Sequence, residues 1–126
     1  KNPSTYTSVS AFAPICHPTN CPWGTKAFSG YLGSVGAGEA HDASLLAKSH
    51  AGPPVKLLVD QGAADNFLTG EVNQLQPEAL KAACAANASA VELELRMQEG
   101  YDHSYFFIAT FMPDHVAHAA KALGLD

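Results

Sequence analysis

PVKLLVDQG, Pro54 to Gly62, carries the first decision about the fold. Its apolar core, Leu57-Leu58-Val59, runs on without an alternating polar face. Such a run predicts a strand covered on both sides, as in a parallel sheet, because a half-exposed strand would alternate instead. It ends on Asp60, Gln61 and Gly62, so polar groups follow directly on buried ones.

Working outward, VELELRMQ (Val91–Gln98) alternates Val91, Leu93, Leu95 and Met97 with charged residues, the pattern of an edge or half-covered strand. SVSAFAPI (Ser8–Ile15) alternates small and apolar residues up to Pro14 and reads as a buried strand. PEALKAACAANA (Pro77–Ala88) is a helix, with Pro77 at its first position and Leu80 and Cys84 on one face. HDASLLAKSH (His41–His50) is a short helix capped at Asp42 or Ser44. The last helix follows Ser104 and carries Phe107, Ile108, Phe111, Met112, Val116, Ala119 and Leu123 as its apolar stripe. Pro113 is expected to kink or divide it, and Gly124 to stop it. Lys1–Tyr6 reads as the tail of a helix and a turn. Cys16–Ala43, dense in Gly and Pro, reads as a long irregular excursion, and Ala63–Gln76 as a loop.

Strands alternating with helices predict an α/β fold with a parallel sheet and right-handed crossovers. Only three strands are legible, so the chain reads as one edge of a larger sheet.

GYDHSY, Gly100 to Tyr105, places His103 in a turn after one strand and before a helix, where open parallel sheets carry their chemistry. A second loop, after Pro54–Gly62, offers Asp65. Parallel strands bring such loops to the same rim. An acid after one strand and a histidine after the next is the second half of a Ser-acid-His triad. The carboxylate would hold the ring in one tautomer while the imidazole takes a proton from a nucleophile. His103 as a turn residue bonding a backbone carbonyl is an equal reading of the spacing. Asp60 and Asp102 compete with Asp65. Asp60 is read as bracing its loop through backbone amides and Asp102 as capping the next helix, which leaves Asp65 slightly favoured. No Gly-x-Ser-x-Gly elbow occurs; Ser34 has Gly36 after it but Leu32 where the first glycine belongs.

Other clusters carry less. Cys16, His17 and Cys21 form an incomplete zinc set, and no metal site is expected. His115 and His118 are read as a solvated helix face, and Cys84 as a small buried hydrophobe. Trp23 is read either as core packing or as a pocket wall.

Composition bounds the partners. The chain has 126 residues, the size of one domain, with 47% hydrophobic and 15% charged residues. A net charge of −5, with seven basic residues scattered singly, argues against nucleic acid. No run is long enough to span a membrane, and no secretory signal is visible. Three cysteines do not make a complete disulfide framework, which fits reduced thiols and a cytoplasmic setting.

SVSAFAPI, CPWG, KAFSGYLG, DQGAADNFL, QEGYDHSYFFIATF and DHVAHAAKALG, in this order, resemble the S-formylglutathione hydrolase (esterase D) family over nearly the whole chain. The resemblance implies the C-terminal part of a single α/β-hydrolase domain over residues 1–126. It implies a serine hydrolase that cleaves S-formylglutathione to glutathione and formate, and simple esters besides, without metal or organic cofactor. The family's acid falls on Asp65 and its histidine on His103. The stretch from Trp23 to Tyr31 becomes a candidate wall of the acyl or glutathione pocket. Lys26 either meets a glutathione carboxylate or is simply solvated. The family's nucleophilic serine and oxyanion loop have no counterpart in this sequence, so the chain alone is expected to be inactive. The partners implied are the thioester substrate and an N-terminal segment bearing the nucleophile, with a homodimer allowed. The rival readings are a non-catalytic remnant kept as a structural subunit and a general carboxylesterase.

Overall fold

A computed structural model describes Asn2 and residues 5–125. Three strands form one parallel sheet in the order β1-β2-β3: β1 (Val9–Phe12), β2 (Val55–Gly62) and β3 (Val91–Gln98). Among the described residues five α-helices accompany them: α1 (Pro22–Leu32), α2 (Ala43–Ser49), α3 (Asn66–Thr69), α4 (Pro77–Ala85) and α5 (Tyr105–Ala122). Each strand returns to the sheet through helical crossovers, the connection that parallel strands require.

The parity of the strands divides the core into two layers. Val59, Val91, Leu93 and Leu95 face Ala47 of α2 and Leu80, Ala83 and Cys84 of α4. On the opposite face, Phe12 and Ala13 meet Phe107, Ile108 and Phe111 of α5, with Leu75, Phe67 and Tyr101 beside them. Phe12, Asp60 and Arg96 lie in one register row across the sheet on that second face.

Several expectations need correction. Cys16–Ala43 is not an irregular loop. It holds a 3-10 turn at Pro18–Asn20, helix α1 and a second 3-10 segment at Gly36–His41. Pro22 opens α1, the Cys21 thiol accepts from Gly24 N, and Gly33 closes the helix in a left-handed conformation (φ 83°). Density of glycine and proline hid a helix bracketed by both. The loop Ala63–Gln76 contains α3, capped by Asp65. Val9 and Ser10 of β1 are exposed rather than buried, and among the described residues β1 is an edge strand paired with β2. Pro113 sits inside α5 without dividing it; Phe107 and Phe111 before it and His115 after it are all packed or hydrogen-bonded. The expected helix tail over Lys1–Tyr6 falls largely on Lys1, Pro3 and Ser4, which lie outside the described residues. Helix α2 is capped by Asp42, whose side chain accepts from Ser44 N and Leu45 N.

Candidate active site

The loops after β2 and β3 are zipped together before either side chain of interest is reached. Ala63 N donates to Gln98 O and Ala64 N to Tyr101 O, both at 2.9 Å. One residue beyond the first loop's second bond stands Asp65, and two beyond Tyr101 stands His103. His103 Nδ1 and Asp65 Oδ2 are 2.7 Å apart. The alternative in which His103 bonds only a backbone carbonyl does not hold.

Asp65 is fully buried, and both oxygens of its carboxylate are hydrogen-bonded. Oδ1 accepts from Phe67 N at 2.8 Å, and Oδ2 from Gln61 Nε2 at 3.0 Å as well as from His103. With the carboxylate ionised it can only accept, so the contact requires Nδ1–H to donate, and a neutral ring then has Nε2 as its acceptor. The His103 side chain is 40% exposed, so the pair is sealed on the acid side and open on the imidazole side. The ring lines a cleft of about 310 Å³ with Phe12, Ala13, Ser104, Tyr105, Phe107 and Ile108. This arrangement can accept a proton from a hydroxyl delivered into the cleft and return it to a leaving group.

Aromatic rings extend the site sideways. Phe67 meets the His103 ring edge-on at 5.0 Å, and Trp23 packs on Phe67 at 4.7 Å. Trp23 is thus one ring removed from the histidine, and on a helix rather than in a loop. Lys26 lies one turn further along α1, in a shallow groove with Trp23, Ala27, Gly30 and Tyr31.

The competing aspartates have other partners. Asp60 does not brace a loop through backbone amides; its carboxylate takes side-chain donors from Arg96, Gln98 and His115. Asp102 does not cap α5, because Ser104 does, accepting from Phe107 N. His115 is buried, not part of a solvated face. His17 Nδ1 lies 2.8 Å from Asp42 Oδ2, which also accepts from Thr19 N and its hydroxyl. Burial pushes the Asp42 carboxyl up, but the Thr19, His17 and Leu45 donors outweigh it and hold it below the usual carboxylate range. Among the described residues no three His, Cys, Asp or Glu side chains converge as a metal set. The three cysteines are buried and free, and burial, with Cys84 and Asp42 nearby, pushes the Cys16 thiol up to about 12. No helix among the described residues is long and apolar enough to cross a membrane.

Gln61 and Phe67 were missed in the sequence reading. A signal existed for Gln61: a polar residue at the end of a strand buried on both faces needs a polar partner.

Residues 1–118 match the model of the family described as "Putative esterase". The chain is 53% identical over 98% of its length to S-formylglutathione hydrolase of Rattus norvegicus, and 47% identical over 99% to that of Arabidopsis thaliana. It spans 43% of the length of each of these relatives. A solved structure described as a structural and kinetic study of an S-formylglutathione hydrolase from Agrobacterium tumefaciens superposes with a TM-score of 0.84. The match has 39% identity and covers 97% of this chain and 42% of that one. The architecture is therefore of the α/β-hydrolase kind, a parallel sheet with flanking helices.

Proposed function

The chain belongs to the esterase family, and from that membership we propose that it supplies the acid and the base of a serine hydrolase that cleaves S-formylglutathione. The observation that carries the reading is the 2.7 Å contact between His103 Nδ1 and the fully buried Asp65. Residues 1–126 act as part of one α/β-hydrolase domain. Its serine and oxyanion donors come from polypeptide outside this sequence, since no Gly-x-Ser-x-Gly elbow lies within it.

In this mechanism His103 Nε2 takes the proton of the serine hydroxyl as its oxygen attacks the formyl carbonyl. Asp65 stabilises the imidazolium that forms. The tetrahedral adduct collapses, the carbon–sulfur bond breaks, and the imidazolium protonates the glutathione thiolate. Water then attacks the formyl-enzyme, again giving its proton to His103, and formate leaves with the serine restored. In this reading Trp23, which reaches His103 only through Phe67, walls the substrate side, and Lys26 in the neighbouring groove meets a carboxylate of the carrier peptide. Three free buried thiols support a reducing, cytoplasmic setting.

The test is made in protein that also carries the serine-bearing segment. His103→Ala lowers S-formylglutathione hydrolysis by at least about a thousandfold. Hydrolysis at the parental rate sinks the assignment. Turnover of an aryl acetate beside the thioester separates a glutathione-thioester hydrolase from a general carboxylesterase.

A further inference from the structure

Gln61, at the end of β2, has no exposed surface. Its Nε2 donates to Asp65 Oδ2 at 3.0 Å and to Gly62 O at 3.1 Å. Its Oε1 is buried with no hydrogen-bond partner among the described residues.

An unpaired buried acceptor is destabilising, and folded chains keep few of them. An apolar side chain of the same length, such as methionine, would fill the space without that liability. Packing alone therefore does not account for glutamine here. What glutamine adds is its pair of N–H donors, and both are spent at the site. Asp65 itself stands at the head of α3, a helix of only four residues, where Phe67 N is its other donor from the chain's backbone. Gln61 reaches it from the middle strand of the sheet, at a position paired with Met97 of β3. The more rigid element thus orients the carboxylate of the less rigid one.

We propose that Gln61 is a positioning residue of the hydrolytic site, its amide holding the Asp65 carboxylate in the rotamer that meets His103 Nδ1. This rests on the hydrolase reading of Asp65 and His103. Gln61 touches neither substrate nor nucleophile; it acts through Asp65. With the donor removed, the carboxylate turns away from the imidazole, which loses its fixed tautomer.

The experiment compares Gln61→Met and Gln61→Glu with the parent in the serine-bearing protein, following kcat and KM for S-formylglutathione across pH. Gln61→Met lowers kcat roughly tenfold to a hundredfold, the scale of a misplaced catalytic group, with KM within about twofold of the parent. Gln61→Glu loses activity where its carboxyl is ionised. It regains activity relative to the parent as pH falls, because the protonated acid again donates to Asp65. The Met-to-parent ratio stays flat with pH. A purely structural role gives neither the contrast in pH profile nor the kcat-specific loss. If Gln61→Met does not fold, the pH dependence of the Glu-to-parent ratio alone decides. If both variants run at the parental rate while His103→Ala is dead, the positioning role is wrong and the hydrolase reading stands. If His103→Ala is active, both fall.

Discussion

Asp60 and His115 are 55 residues apart in the chain, yet His115 Nε2 lies 2.8 Å from Asp60 Oδ2. Asp60 is fully buried and also takes Arg96 Nε at 2.9 Å, a second Arg96 nitrogen and Gln98 Nε2 at 2.7 Å. Arg96 Nη1 goes on to Asp114 at 2.7 Å. The Phe12 ring stacks on the His115 imidazole at 3.7 Å. This knot draws one residue from each strand onto α5. Because α5 starts just after His103, whatever fixes the helix also fixes the platform from which the histidine projects.

The knot makes acid stability depend on Asp60. Burial pushes its carboxyl up, but the hydrogen bonds from Arg96, Gln98 and His115 outweigh burial and hold it below the ordinary carboxylate range. The same contact with Asp60, against the opposing effect of burial, raises Arg96. A carboxyl depressed in the folded state contributes stability that is present above its unfolded value of about 3.9 and is lost as pH falls through the folded value. Asp60→Ala leaves Arg96 facing an empty buried position and is expected to cost roughly 3 kcal/mol at neutral pH. The penalty shrinks as pH falls through the depressed value at which the parent's folded Asp60 also protonates. Urea unfolding at several pH values measures it. A loss under about 0.5 kcal/mol at pH 7, the size of an ordinary surface change, contradicts the assignment.

Asp65→Asn probes the candidate acid without removing volume. An amide can present its NH₂ to Nδ1, which moves the imidazole proton onto Nε2, the position that has to accept from the nucleophile. In the serine-bearing protein kcat is expected to fall on the order of 10⁴-fold with KM nearly unchanged. Steady-state kinetics, with circular dichroism to show that the fold is intact, provide the check. A loss of less than about tenfold would mean that Asp65 is not the orienting acid.

The contrast between Asp65 and Asp60 shows what a sequence can disclose. The run Leu57-Leu58-Val59 needs no partner to be read: its lack of alternation already requires a parallel sheet, and a parallel sheet brings its following loops to one rim. That made a pairing of Asp65 with His103 legible as one option, beside an equal reading of His103 as a turn residue and only a slight preference over Asp60 and Asp102. The 2.7 Å contact is what selects it. Asp60 sits in the same strand, but its meaning lies in Arg96, Gln98 and His115, and nothing local says which distant donors will satisfy a buried carboxylate. For His115 a signal was present, since Phe107, Phe111 and His115 recur every four residues on one face of α5. Helix α1 was lost differently. Its glycines argue for a loop by intrinsic propensity, and the packing that requires Gly24 is visible only once Pro18 lies against it.

That packing yields a paired prediction. Alanine is favoured over glycine inside a helix by about 1 kcal/mol, so propensity alone makes Gly24→Ala stabilising. A Cβ at Gly24, however, would lie 1.9 Å from Pro18 O, a backbone atom that cannot swing aside. The clash should win, for a net loss of about 1–3 kcal/mol. At Gly30, in the same helix, a Cβ meets nothing within 4 Å, and Gly30→Ala should stabilise. Thermal melts of the two variants test the contrast, and a Gly24→Ala melting point at or above the parent's overturns it.

Gly62→Ala carries the same reasoning into the site. A Cβ on Gly62 would lie 2.4 Å from Tyr101 O and 2.9 Å from Asp102 O. Gly62 is not among the residues of positive φ, so the obstacle is space rather than conformation. The obstructing atoms are backbone, and the next residue along is His103. The hydrogen bonds from Ala63 N to Gln98 O and Ala64 N to Tyr101 O hold the two loops against each other at this point. Adding a methyl group therefore either breaks that zipper or backs the whole Tyr101–His103 turn away from Asp65. A displacement near 1 Å in a catalytic group costs on the order of 10² in rate. Gly62→Ala should accordingly lower kcat in the serine-bearing protein far more than it raises KM, with a stability loss of about 1–3 kcal/mol. A variant that melts lower but keeps the parental kcat would show that the turn relaxes without moving His103. A variant unchanged in both would show that Gly62 and the histidine loop do not approach as closely as 2.4 Å requires.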